Sequence, residues 1–217
     1  DGDGIVNEPE DLDILKDRLY TSAPASSPRR GAQTVIHLVL DTLARLTAPI
    51  LAFTAEEIWQ YMPALADKAA SVHAAEMPVV RTEWQNDALG QKWGRLLTVR
   101  GEVTKALEAA RTEKLIGHPL DAAVTLTAPS PYREVLATYN DILDKLFIVS
   151  SVQMTEAAEW TETAYHSQEI EGLTLMVTKA PGTKCERCWM HATTVGDDQH
   201  HPTVCARCCH ELEQMSI

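Results

Sequence analysis

Apolar residues recur at helical spacing through the first half of the chain, and the pattern changes to alternation beyond the midpoint. Between residues 33 and 48, Ile36, Val39, Leu40, Leu43 and Leu46 fall on one helical face, and Pro49 ends or kinks that helix. Thr54 and Glu57 fit a capping box that opens a second helix, with Ile58, Trp59 and Met62 as its apolar stripe before Pro63. Residues 63–85 read as a loop. Asn86 then caps a long helix carrying Leu89, Trp93, Leu96, Val103, Leu107 and Ala110, which Gly117 and Pro119 terminate. Ahead of these, a short helix over 12–20 interrupts an extended, Ser-, Pro- and Ala-rich lead-in covering the first thirty residues, where Pro24 and Pro28 break helix.

Past Pro119, Val124 and Leu126 alternate with Thr125 and Thr127, as in a half-buried strand. A helix follows from Ser130–Pro131 through Leu146, then a strand over 147–154. An acidic excursion over 155–172 leads to a third strand marked by Leu173, Leu175 and Val177. The expected fold is mainly α: a helical bundle over 1–120, a small α/β junction over 121–180 and a cysteine-rich finger over 181–217.

Four cysteines supply the sharpest chemistry. Cys185 and Cys188 form one Cys-x-x-Cys pair and Cys205 and Cys208 a second, with sixteen residues between them. Each pair points two thiolates at one ion, and together they complete a tetrahedral site with no open position, so a zinc ion held there is structural rather than catalytic. Disulfides are disfavoured: the five cysteines are odd in number, all lie within twenty-five residues, and no secretory pattern opens the sequence. A thioredoxin-like motif needs only one pair. Cys209 is a spare thiol beside Cys208. His191, His200, His201 and His210 are close enough to compete as ligands, but read more simply as loop and surface residues.

Charge narrows the partners. With 31 acidic against 19 basic residues in 217, the net charge of −12 excludes a generally basic, nucleic-acid-coating surface. The segment 179–217 is different, since Lys179, Lys184, Arg187 and Arg207 face only five acidic residues there. No apolar run reaches transmembrane length, and reduced cysteines point to the cytoplasm. Glu56 and Glu57 form an acid pair, but with Glu57 assigned to the helix cap no catalytic partner is visible, and neither a hydrolase triad nor a phosphate loop occurs.

Several stretches, in order, resemble the carboxyl-terminal region of bacterial-type isoleucyl-tRNA synthetases: Lys16-Asp17-Arg18-Leu19-Tyr20, LTAPILAFTAEEIW over 46–59, Ser71-Val72-His73 followed by Glu76-Met77-Pro78, ALEAARTEKLIGHPLDAAVTL over 106–126, and KCERCW over 184–189. The resemblance implies an anticodon-binding helical domain that holds the anticodon stem-loop of isoleucine tRNA. It also implies a zinc finger that meets the anticodon side, and a parent ligase that uses ATP on catalytic and editing domains lying elsewhere. Neither class I signature, His-Ile-Gly-His or Lys-Met-Ser-Lys-Ser, is present, and Gly117-His118 at a helix end is no remnant of the first. The chain alone is therefore expected to be inactive and monomeric, with no catalytic residue. Candidate tRNA contacts are Lys16, Arg18, Lys184, Arg187, Trp189 and Arg207. Trp189 has an alternative as packing for the finger, and Arg187 and Arg207 as charges that stabilise thiolates. Two other classes remain open on the cysteines alone: the DNA-binding tail of a repair glycosylase, and a zinc-stabilised protein-interaction module.

Overall fold

The computed structural model describes residues 9–64, 68–156 and 160–215. The chain is mainly helical, with seven α-helices and two small sheets among the described residues, and it divides into two compact units. One comprises residues 24–85. The other joins the chain up to Ala23 with everything from Asn86 onward. These divisions do not coincide with boundaries drawn near residues 120 and 180 from the sequence.

In the smaller unit, α2 (Ser27–Thr47) packs on α3 (Ala52–Tyr61). Pro28 stands in the first turn of α2, where its missing N–H costs nothing, so the helix starts six residues earlier than its apolar period suggests. Its buried line is Ala44 and Ala48 against Ala55, Trp59, Met62 and Val72. Val39, Leu40, Leu43 and Leu46, expected on a core face, are instead exposed. Small alanines permit the close approach, so the bulky stripe is not the one α3 covers. Thr54 lies inside α3, whose N-cap is Leu51 with no side-chain cap, and the expected capping box is absent. Glu56 is the organising carboxylate instead: it accepts from Ser71 Oγ at 2.7 Å and the Val72 amide at 3.0 Å, tying the loop back to the helix. Trp59 is buried and donates from Nε1 to Ala69 O at 2.8 Å.

The larger unit holds α1 (Pro9–Thr21), α4 (Asp87–Thr112) and a four-stranded sheet. Asn86 caps α4 by accepting from the Leu89 amide at 3.0 Å, as its sequence predicts. Leu96, Val99, Val103, Ala106, Leu107 and Ala110 form the buried stripe of α4, and each large one contributes about 1.5–3 kcal/mol by burial. They share one buried cluster with Ala122, Val124 and Leu126 of β1 (Ala122–Thr127), which pairs in parallel with β2 (Ser151–Met154) and antiparallel with β4 (Thr174–Lys179). The edge strand β3 (Tyr165–His166) lies in the acidic excursion, where sequence periodicity gave no strand. The β1–β2 crossover is broken into α5 (Tyr132–Thr138), a 3₁₀ turn and α6 (Leu143–Phe147) rather than one helix. Phe147 ends α6, and Ile148 turns the chain at φ 57°.

Glu102, on the buried side of α4, is fully enclosed. It accepts from Lys105 Nζ at 2.5 Å and from Tyr165 Oη at 3.1 Å, and so fastens α4 to β3. Burial alone would raise its pKa, but hydrogen bonds from Lys105, Ser167 and Tyr165 hold it below the usual carboxylate value.

Candidate metal centre and nucleic-acid interface

The finger begins with β5 (Thr183–Lys184), paired antiparallel with β6 (His191–Ala192), and ends with α7 (Ala206–Glu213). Between β5 and β6 the chain makes a knuckle. The Trp189 amide donates to Cys185 O at 2.9 Å, and the Cys185 amide to Met190 O at 2.9 Å. This closure places Cys185 and Cys188 on the same side of the turn. Gly182, at φ 87°, makes the entry possible: a Cβ there would lie 2.3 Å from the carbonyl carbon of Ala192. The second pair is set by α7, because Cys205 is its N-cap and Cys208 stands three residues on, one helical turn away on the same face.

The four sulfurs of Cys185, Cys188, Cys205 and Cys208 all lie within 4.8 Å of one another. Cys188 Sγ and Cys205 Sγ are 3.8 Å apart. That is far beyond a disulfide bond, and it matches the edge of about 3.8 Å expected for a tetrahedron of thiolates about 2.3 Å from a central ion. Three of the four cysteines are buried. Hydrogen bonding from the Cys208 thiol draws Cys188 down to about 4, against the effect of burial and with help from Arg207 and the Met190 amide. The same bond, with burial, pushes Cys208 up, and burial pushes Cys205 up. Crowded sulfurs sharing protons in this way suit a dication that would replace those protons. The Cys205 amide donates to Cys185 Sγ at 3.3 Å, orienting that sulfur from the backbone. Among the described residues Cys209 and the four nearby histidines are outside this cluster. Cys209 is buried, and the His200 and His201 amides are both held by Asp198 at 2.8 Å.

The other candidate residues separate into two groups. Trp189 stands at φ 66° with 60% of its surface exposed, so it does not serve as packing for the finger. Lys184, five residues earlier, is also exposed. Lys16 is exposed and paired with Asp13 at 2.5 Å, and Arg18 is half-buried on the same helix. Arg187 and Arg207, by contrast, turn inward. Arg187 Nη1 donates to Thr21 O at 2.5 Å, and Arg207 grips Asp17 through both terminal nitrogens at 2.6 and 2.8 Å. The residues that receive them, Asp17 and Thr21, were missed from sequence although Asp17 lies between Lys16 and Arg18. Their spacing of four, following Ile14, was the available signal that they share an inward face.

The finger is also fixed to the sheet. The His191 amide donates to Ser150 Oγ at 2.7 Å, and His191 Nε2 lies 3.4 Å from Asp121 Oδ1. Burial would raise Asp121, but the amides of His118 and Gly117, with His191, hold it low.

The family model described as the anticodon-binding domain of tRNA ligase matches residues 9–126, more than half of the chain. The chain belongs to that family. A second family model, a zinc finger found in FPG and IleRS, matches residues 182–210 of this anticodon-binding chain and so encloses all four clustered cysteines. Among curated relatives, the isoleucine–tRNA ligase of Geobacter sulfurreducens is 46% identical over 197 residues, which is 91% of this chain and 21% of the relative. That of Thermoanaerobacter sp. is 45% identical over 207 residues, covering 94% and 22% respectively. The Desulforamulus reducens enzyme is 48% identical over 197 residues, covering 91% and 21%. The chain thus spans about a fifth of the length of the curated relatives it matches. No helix among the described residues is long and apolar enough to cross a membrane.

Proposed function

We propose that this chain is the tRNA-anticodon-binding portion of an isoleucine–tRNA ligase, a cytoplasmic enzyme that joins isoleucine to its tRNA with ATP. Its division of labour is a helical part that holds the anticodon stem-loop, a small α/β junction, and a finger built on one zinc ion bound by Cys185, Cys188, Cys205 and Cys208. Catalysis and editing belong to other domains of the parent ligase, which are partners of this chain together with the tRNA. The observation that carries this reading is the pairing of an anticodon-binding match over the helices with a compact four-sulfur cluster in the finger that follows. Zinc rather than a harder ion follows from four soft thiolates and the absence of any oxygen ligand in the cluster.

Within the finger, Trp189 and Lys184 present the surface best suited to RNA. An exposed indole held on a metal-fixed knuckle can stack on an unpaired base, and Lys184 can meet the adjacent phosphate. Lys16 and Arg18 supply backbone contacts from α1. Arg187 and Arg207 act indirectly, since their guanidinium groups are engaged within the protein. The repair-glycosylase alternative shares only the finger, whereas likeness to the ligases extends over more than nine-tenths of the chain. Titration of the purified chain with isoleucine tRNA, a non-cognate tRNA and duplex DNA across a salt series tests the proposal. Preference for isoleucine tRNA is expected. Preference for duplex DNA would indicate the glycosylase-type reading, and absence of nucleic-acid binding would indicate a protein-interaction module.

A further inference from the structure

Two of the contacts that hold the finger against the end of α1 come from residues between its cysteines. Arg187 lies inside the first Cys-x-x-Cys pair and Arg207 inside the second, and both reach residues some 166 to 190 positions earlier in the chain. Arg187 Nη1 donates to the carbonyl of Thr21, the last residue of α1, where a cation complements the exposed carbonyls and the negative end of the helix dipole. Arg207 is two-pronged on Asp17, one turn back on the same helix. From α7, Glu211 Oε2 accepts the amide of Ala23 at 2.5 Å. Three polar links from the finger thus converge on seven residues of chain, and Ala23 is where this compact unit gives way to the next.

Arg207 also faces the metal site. Its charge favours the thiolate form of Cys188, and its guanidinium lies 3.6 Å from Met190 Sδ. The two-pronged Asp17–Arg207 pair therefore ties α1 to the turn that carries Cys205 and Cys208. Burial would raise the Asp17 carboxyl, but its bonds from Arg207 hold it below the usual range, so the strut is charged at neutral pH.

We propose that Asp17 and Arg207 are positioning residues, a strut through which metal occupancy of the four-cysteine site fixes the end of α1 at Thr21–Ala23. The physical basis is that both arginines are carried by ligand-bearing turns. Cys205–Cys208 sets the start of α7 and Cys185–Cys188 sets the knuckle, so loss of the ion frees both turns and with them the groups that cap α1. The sequence order makes this consequential, because the segment so fixed leads directly into α2. The inference rests on metal binding at the cluster, which is measured separately in its test.

Hydrogen exchange on the full chain reads the strut. Metal content is determined first, and the chain is loaded with Zn²⁺ or with Co²⁺. In the zinc-loaded protein, removal of the ion by a chelator is expected to speed exchange over residues 17–23 about tenfold or more while α4 residues 96–110 change little. Asp17→Asn is expected to reproduce that acceleration with metal still bound, and chelation should then add less than about twofold. Asp17→Glu should restore protection in part. In the cobalt form, Asp17→Asn should also shift the sulfur-to-metal charge-transfer absorption, because the Arg207 cation between the two ligand cysteines is no longer held in place; a merely structural role for Asp17 would leave that band unmoved. If the chain binds no metal, both the metal assignment and the strut fail. If metal binds and is removed with no change at residues 17–23, or if the Asp17 variant and chelation act additively, the strut alone is overturned.

Discussion

Trp189 shows how a single residue separates a binding role from a packing one. A bulky side chain at φ 66° is held in backbone that glycine would adopt more readily, yet its ring is mostly in solvent and does not repay that strain by burial. Trp189→Gly should therefore leave the thermal stability of the finger unchanged or raised. It should weaken binding of isoleucine tRNA by about 5- to 150-fold, the loss of one base-stacking partner worth roughly 1–3 kcal/mol. Melting curves and binding titrations on the same variant check both halves. Gly182 is the opposite case. Gly182→Ala puts a methyl group into the Ala192 backbone and adds left-handed strain of about 1–2 kcal/mol, so a weakened metal affinity and a less stable finger are expected from metal titration. The four-cysteine cluster was legible in the sequence because Cys-x-x-Cys spacing is itself a geometric statement. The inward turn of Arg187 and Arg207 was not, because their partners lie on α1, more than 160 residues away, and no local pattern encodes such pairing.

Individual elements were readable in proportion to how locally they are determined. α4 was expected from its N-cap and its stripe because Asn86 and the period of Leu96, Val103 and Ala110 are properties of one segment. α2 was placed less well: the sequence offers two apolar lines, and the alanine line is the one covered by α3. Strand β3 has only two residues and exists by pairing with β4, so its origin is tertiary. Its tie to α4 through Tyr165 and Glu102 gives a pH-dependent outcome. Glu102 and Asp17 both have pKa values lowered on folding, so the stability they contribute is fully present above the unfolded carboxylate range, about pH 4 to 5, and is lost as pH falls through their folded values. Melting temperature should accordingly be flat from pH 7 down to about 5 and decline below that. Glu102→Gln should reduce the size of the acid decline, whereas Glu102→Ala should lower stability at neutral pH by about 1–3 kcal/mol by leaving Tyr165 and Lys105 without their shared acceptor.

At the scale of the molecule, an acidic chain is expected to bind an acidic polymer through a few placed groups rather than through its overall field. Of the 19 basic residues against 31 acidic ones, the finger's two arginines are engaged by Thr21 and Asp17. Affinity then depends on the metal that shapes the knuckle, and structural zinc in such peptides supplies on the order of 10–16 kcal/mol, more than a tip this small gains from its own core. The helical core around α4 has no part in that cluster, since α4 packs on α5 and β4. The most direct measurement is therefore binding of isoleucine tRNA to the chain before and after verified removal of the ion, with helical circular dichroism recorded on the same samples. Loss of tRNA binding with the helical signal largely retained is the predicted result. Equal affinity with and without the metal would contradict the account.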